Sequence, residues 1–227
     1  MSSLLSLLQL SDPALPIGGF SHSAGLETYV QLGVVKDKNS AKDFITEQLS
    51  RNIFFTDAVF ASLSYDAAEK KELSELIKLN EECSAIKLPR EMREASQKMG
   101  GRLAKLFSSF CNDALADEFL NAVKQFNSMP HYSVAFGLFA CTCGISKIDT
   151  LHAFYYNAAA GMVTNCVKLV PLGQKAGQEI LFSLHQFIED LAKRSLVPNK
   201  NLIGLCCAGF DIRCMQHEHL YSRLYMS

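Results

Sequence analysis

The stretch Leu151 to Leu169, LHAFYYNAAAGMVTNCVKL, is apolar on nearly all sides, the pattern of a helix buried within a protein. Its small residues Ala158, Ala159, Ala160 and Gly161 let neighbouring helices approach closely, so it is expected to be the central helix. Pro171 breaks the apolar run that closes it at Lys168 to Val170. Beyond the break, a second helix is expected from about Gln174 to Arg194, with Ala176, Ile180, Leu184, Phe187 and Leu191 on one stripe. Lys193 and Arg194 stand at its end, where cations favour the helix dipole.

Working back towards the N-terminus, the helical period recurs. Phe44, Ile45, Leu49, Ile53, Val59 and Leu63 stand at spacings near three and four; so do Met92, Ala95, Met99, Leu103 and Leu106, then Leu115, Phe119, Val123 and Phe126. The segment Leu73 to Pro89 is rich in Lys and Glu, carries Leu73, Leu76 and Leu79 on one face, and reads as a peripheral helix and loop. Strand-like alternation is scarce. The expected fold is therefore all-α, a single-domain helical bundle over residues 1–227, since this length most simply makes one domain and no long linker divides it.

Composition narrows the function classes. With 22 basic and 23 acidic residues the chain has no electrostatic footprint of a nucleic-acid binder, and with 48% hydrophobic residues it is no disordered acidic chain. The start, MSSLLSLLQL, lacks the basic region and cleavage site of a signal peptide. The uncharged stretch His131 to Ser146 falls short of the roughly 20 apolar residues of a membrane span and contains His, Tyr, Ser and Thr, so a buried helix is expected there. Eight cysteines without a secretory signal point to reduced thiols in the cytoplasm, most of them small buried hydrophobes. Cys141, Cys143, Cys206 and Cys207 lack the paired C-x-x-C spacing of structural zinc sites.

The chemistry-bearing candidates lie at the two ends. In QLSDPALPIGGFSHSAGLETYVQ, Gln9 to Gln31, the prolines bias the chain away from helix, and Gly18 and Gly19 permit positive φ or a close backbone approach. Ser21 or Ser23 is placed to cap a helix starting near Ala24, with Glu27 near its first turn. The Gly19 to Ser23 segment departs from a nucleophile elbow because Ser23 replaces the second glycine and no strand enters the turn. No phosphate-binding loop is present. Glu81-Glu82, Glu91-Glu94 and Glu189-Asp190 sit among solvating charges. At the other end, Phe210, Met215, Leu220, Tyr221, Leu224 and Tyr225 would expose a sizeable apolar patch if the tail floated free, so the tail needs a partner surface, on this chain or on another protein. His217 and His219, two apart, do not share a helix face as in H-E-x-x-H, although Cys214 lies three residues before His217. Lys168, at the end of an otherwise apolar helix, either satisfies terminal carbonyls or forms an exposed contact.

Four collinear runs carry a resemblance across essentially the whole chain: LxLSDxALPIGGFSHSxGLE from Leu8 to Glu27, REASQKMGGRL from Arg93 to Leu103, VKLVPLGQxxGQxIL from Val167 to Leu181, and DIRCMQHEHLYSRLYMS from Asp211 to Ser227. Together they resemble the UreF family of urease accessory proteins. The resemblance implies an all-helical, cytoplasmic, non-enzymatic protein without a cofactor of its own. It further implies a homodimer that binds UreH (also called UreD) and forms a platform for the GTPase UreG, so that nickel reaches apo-urease. It implies no nucleic-acid or membrane partner.

Carried over residue by residue, the resemblance gives a partner-binding set. Pro16, Gly18, Gly19, Phe20, Ser21, His22 and Ser23, with Glu27, match the segment associated with recruiting the GTPase. Phe20 stands where some members have Tyr, which keeps a ring and loses a hydroxyl. Lys168 and Gln174 match the third run, and Lys168 is expected near a partner surface. Met215, His217, Glu218, Arg223, Leu224 and Tyr225, with Ser227, match the C-terminal motif, and the tail from about 208 to 227 is expected to be ordered by UreH. A reading from a different class is a Cys/His metal-binding protein or metallohydrolase that uses His217, His219, Cys214 or the Ser21-His22 pair.

Overall fold

The computed structural model describes residues 2–19, 22–205 and 207–226, and among them twelve α-helices succeed one another without a strand. They are α1 (Ser3–Leu10), α2 (Leu26–Gln31), α3 (Lys38–Glu47), α4 (Asp57–Glu69), α5 (Leu73–Ile86), α6 (Arg90–Ser108), α7 (Ala114–Gln125), α8 (Tyr132–Thr142), α9 (Lys147–Leu169), α10 (Gln174–Ser183), α11 (His185–Arg194) and α12 (Ala208–His217). The all-α expectation holds, and one contiguous core joins residues from Leu10 to Ala192.

Helix α8, together with α4 against which it packs, is more completely buried than the expected central helix α9. Val134, Ala135, Phe136, Leu138, Phe139 and Ala140 are wholly buried, so the uncharged stretch read as a buried helix is the centre of the bundle. Close approach occurs here as well. A Cβ on Gly137 would run into the Ala61 carbonyl of α4, and one on Gly100 of α6 into the Pro130 carbonyl at the start of α8. By contrast, a Cβ on Gly161 of α9 would meet open space, and Tyr156, Gly161, Thr164 and Lys168 leave one face of α9 exposed. A glycine lets helices touch only where a neighbour's backbone lies against it, and the sequence alone does not say where that is.

Two expected continuities are interrupted. The periodic run from Phe44 to Leu63 passes through a π-turn, Gln48–Asn52, and a 3₁₀ turn, Ile53–Phe55, before α4. The freed Phe55 carbonyl accepts from the Gly204 N–H at 2.9 Å, and the Thr56 hydroxyl donates to the Asn52 carbonyl at 2.7 Å, so partners outside the helix ladder satisfy the break. The helix expected from Gln174 to Arg194 is split at Leu184, whose N–H turns back to the Leu181 carbonyl. The stripe survives the split because Ile180, Leu184, Ile188 and Leu191 are all buried, while Phe187 is only partly so.

Buried polar groups are tied across the bundle. Ser62 donates to the Ser195 carbonyl, Ser64 to the Val134 carbonyl, and Tyr65 to the Ile145 carbonyl at 2.6, 2.6 and 2.8 Å. Near the junction of α5 and α6, Lys87 pairs with Asp57 at 2.7 Å. Burial raises the Asp57 carboxyl, but the adjacent ammonium more than offsets this and holds it below its ordinary value. The same pairing keeps the Lys87 ammonium high against the burial that would lower it. His131, wholly buried, has its backbone N–H on the Asn80 side chain at 2.7 Å and its Nδ1 3.0 Å from the Ser96 hydroxyl. Burial, and then the nearby Lys87 charge, push its imidazole down to about 4, so it is neutral in the folded protein.

Candidate partner-docking site

The two ends of the chain meet on the body of the bundle. Helix α2 opens at Gly25, whose φ of 75° lies in the left-handed region. A Cβ there would also sit 2.7 Å from the Cys214 sulfur of α12. Gly25 is therefore required twice, for its dihedral and for the close passage of α12. Among the described residues no serine side chain caps this helix: it begins at Leu26, and the buried Ser23 hydroxyl has no partner among them. Phe20 and Ser21, like Ser227 at the end of the tail, lie outside the described residues.

Glu27, in the first turn of α2, is the hub. Its carboxylate accepts the Leu224 N–H at 2.7 Å and the Tyr225 N–H at 3.2 Å, and its Oε2 lies 3.2 Å from His217 Nε2. The other imidazole nitrogen, Nδ1, is 2.8 Å from Glu91 Oε2, in the first turn of α6. Arg223 donates to Glu91 Oε1 at 2.7 Å. The His217 ring is thus held between the two carboxylates. Around this buried centre, Arg90 pairs with Glu218 at 2.9 Å, Thr28 donates to the Arg213 carbonyl at 3.1 Å, and Gln31 to the Ser222 carbonyl at 3.1 Å. Charge-assisted bonds to a buried carboxylate are the stronger kind, so the tail is pinned by a few contacts.

Pinning sorts the apolar tail residues into two sets. Phe210, Cys214 and Tyr225 turn inward and are buried. Burial, then the Glu27 charge, raise the Tyr225 phenol, whose hydroxyl has no partner among the described residues. Ile212, Met215, Tyr221, Leu224 and Met226 face outward, with Tyr221 fully exposed and Leu224 68% exposed. The tail thus turns three of these apolar residues onto this chain's own surface and leaves the other five exposed.

The glycine loop lies alongside. Gly18 has a φ of 84°, in the left-handed region, whereas Gly19 is not in that region and a Cβ on it would meet only the Met99 sulfur at 3.7 Å. Pro16 is exposed, the Ile17 carbonyl accepts from Arg102 at 3.1 Å, and the His22 carbonyl accepts from Asn165 of α9 at 2.9 Å. Burial, then Lys98 and Arg102, lower the His22 imidazole. A cavity of about 510 Å³ opens between this loop, α6 and α9, bounded by Ile17, Met99, Phe154 and Met162. Lys168 and Gln174 are exposed, and no described hydrogen bond or ion pair joins them to the tail cluster.

Sequence reading placed Glu27, His217, Glu218, Arg223, Leu224 and Tyr225 in one set, and the structure brings these six together. It also adds Glu91 and Arg90 and corrects the view of Glu91 as a solvating charge. No local pattern marks Glu91 as the acceptor for a histidine 126 residues away. The metal-centred reading gains no support: both nitrogens of His217 are taken by carboxylates, Cys214 lies against Gly25, and His219 is exposed. Among the described residues no group of three or more His, Cys, Asp and Glu side chains is placed to hold a metal ion, and no helix is long and apolar enough to cross a membrane.

A family model described as UreF matches residues 35–185 of the chain. A urease accessory protein UreF of Actinobacillus pleuropneumoniae serotype 3 (strain JL03) is 45% identical over 227 residues, covering 100% of both chains. The protein of the same name from Haemophilus influenzae (strain PittGG) is 42% identical, covering 100% of this chain and 97% of the relative. That from Bacillus sp. (strain TB-90) is 36% identical over 228 residues, covering 100% of both. The family model's match stops short of both the glycine loop and the tail, whereas the matches to these relatives include them.

Proposed function

The chain belongs to the UreF family of urease accessory proteins, and from that premise we propose that it is a non-catalytic scaffold for nickel insertion into urease. In this reading it acts as a homodimer, binds UreH/UreD through the pinned tail, and then recruits the GTPase UreG, with the glycine loop as part of the docking surface. The observation that carries the reading is the division of the tail. Glu27 and Glu91 fix its backbone and basic side chains, while Tyr221, Leu224 and Met226 remain exposed beside them. An ordered apolar patch rimmed by polar groups is what a protein partner binds, and a tail already held in place loses less conformational freedom on association. Arg and Tyr are the residue types that anchor such interfaces.

The absence of a nucleotide loop in the sequence agrees with a protein that borrows its GTPase rather than being one. The test is removal of residues 223–227. The shortened chain is expected to keep its helical content and dimerise, yet to fail to capture UreH and, in consequence, UreG in a co-purification. Assembly of the full complex at unchanged affinity would show that the tail is not the docking element.

A further inference from the structure

Apart from the docking site, two thiols lie in direct contact at the opposite end of α6. Helices α6 and α8 run parallel in a constant register: Gly100 lies against His131, Phe107 packs on Phe139 with ring centroids 5.8 Å apart, and Cys111 meets Cys143 with sulfurs 3.3 Å apart. Each step advances both helices together, so the contact of the two sulfurs continues the packing seam. Cys111 comes just after the last turn of α6, and Cys143 caps α8. Both are half-buried rather than sealed in the core, as Cys83 and Cys166 are.

We propose that Cys111 and Cys143 form a site of reversible oxidation, at which a peroxide closes a disulfide that staples the end of α6 to the end of α8. The sulfurs must approach by about 1.3 Å to reach bonding distance. Gly144, in the left-handed region with open space where a Cβ would stand, leaves the chain after Cys143 room to move with it.

The steps balance. Burial, with a contribution from Cys111, pushes the Cys143 thiol up to about 12, so Cys143 stays protonated and the first attack falls to Cys111. The Cys111 thiolate attacks one oxygen of hydrogen peroxide, the O–O bond breaks, and the departing hydroxide takes up the thiol's proton as water. This leaves a sulfenic acid on Cys111. The Cys143 sulfur then attacks the Cys111 sulfur, the S–O bond breaks, and the leaving hydroxide takes the Cys143 proton as a second water. Two thiols are oxidised by two electrons and one peroxide is reduced. A dithiol returns the pair to its starting state by exchange.

The experiment treats the full-length protein with hydrogen peroxide, blocks remaining thiols, and reads intact mass and a non-reducing peptide map. The expected result is the loss of two hydrogens, a crosslinked peptide pair containing Cys111 and Cys143, and reversal by dithiothreitol. The ring closes around α7 and α8, so Tm is expected to rise by roughly 5–10 °C on oxidation. In Cys143→Ser the rise should vanish, and the sulfenic acid on Cys111 should become trappable by dimedone. A crosslink that maps to Cys141 or any other cysteine, or oxygen uptake on wild-type Cys111 without a crosslink, would overturn the proposal.

Discussion

Two charged clusters hold this molecule together, and they do different work. The inner one, Asp57 with Lys87 beside His131, sits where α4, α5, α6 and α8 converge. The outer one, Glu27 and Glu91 around His217 and Arg223, joins α2 and α6 to α12 and the tail that follows it. Both bury carboxylates, but losing a partner has a different consequence in each. Removing an inner partner leaves an unpaired, largely buried charge where four helices pack together, none of which can lift away alone. Removing an outer one lets a short tail lift away and solvate the remaining groups, at the cost of the docked tail alone. Inner charges therefore set global stability, and outer charges set whether the apolar patch is presented.

The largest test of that contrast is Lys87→Met. Asp57, with 21% of its side chain exposed, would be left without its cation, and the loss is expected to be about 3 kcal/mol in urea unfolding, the low end for breaking a buried pair. Combining it with Asp57→Leu should recover much of this, because an apolar pair of similar volume avoids the uncompensated charge. If Lys87→Met cost no more than a surface substitution, the inner pair would not be the global element described here.

Next in size is a pH effect from the same cluster. His131 has its folded value depressed to about 4 from an ordinary value of 6.5. Between these two values the unfolded chain binds a proton that the folded one excludes, so this contribution is complete above about pH 6.5 and is lost as pH falls towards 4. The full span corresponds to about 3 kcal/mol. Denaturant titrations of wild type and His131→Gln between pH 5 and 7 are expected to show a shallower slope in the variant, a window chosen to lie above most carboxylate titration. Equal slopes would mean that His131 is not held neutral.

Legibility in the sequence divided along the same line. The amphipathic helices were readable because their burial obeys a local period, and even the split at Leu184 left the Ile180, Leu184, Leu191 stripe intact. The choice of centre was not, because α8 and α9 are both apolar by composition. What separates them is the carbonyl of Ala61 lying against Gly137, a contact with no sequence signature. In the docking site, Glu27 and the tail residues were found through collinear runs and through an apolar tail that needed a surface. Glu91 and Gly25 escaped, since one looks like any helix-start acid and the other like any turn glycine until α12 is packed against them. Sequence periodicity reports which face of a helix is covered, and long-range pairing decides by what.

The finest test sharpens the outer half of the comparison. Glu27→Gln keeps a hydrogen-bond acceptor near the Leu224 and Tyr225 N–H groups but removes the charge facing His217. Replacing charge-assisted bonds by neutral ones is expected to weaken tail docking by about 1–2 kcal/mol, with no comparable change in global unfolding. In hydrogen exchange this appears as faster exchange at Leu224 and Tyr225, by roughly tenfold, while amides of α8 are unchanged. Arg223→Ala should act in the same direction but less, because its guanidinium is 37% exposed and such pairs contribute about 1 kcal/mol or less. If both variants also sped exchange in α8, the two clusters would be one cooperative unit, and tail presentation could not be tuned without unsettling the bundle.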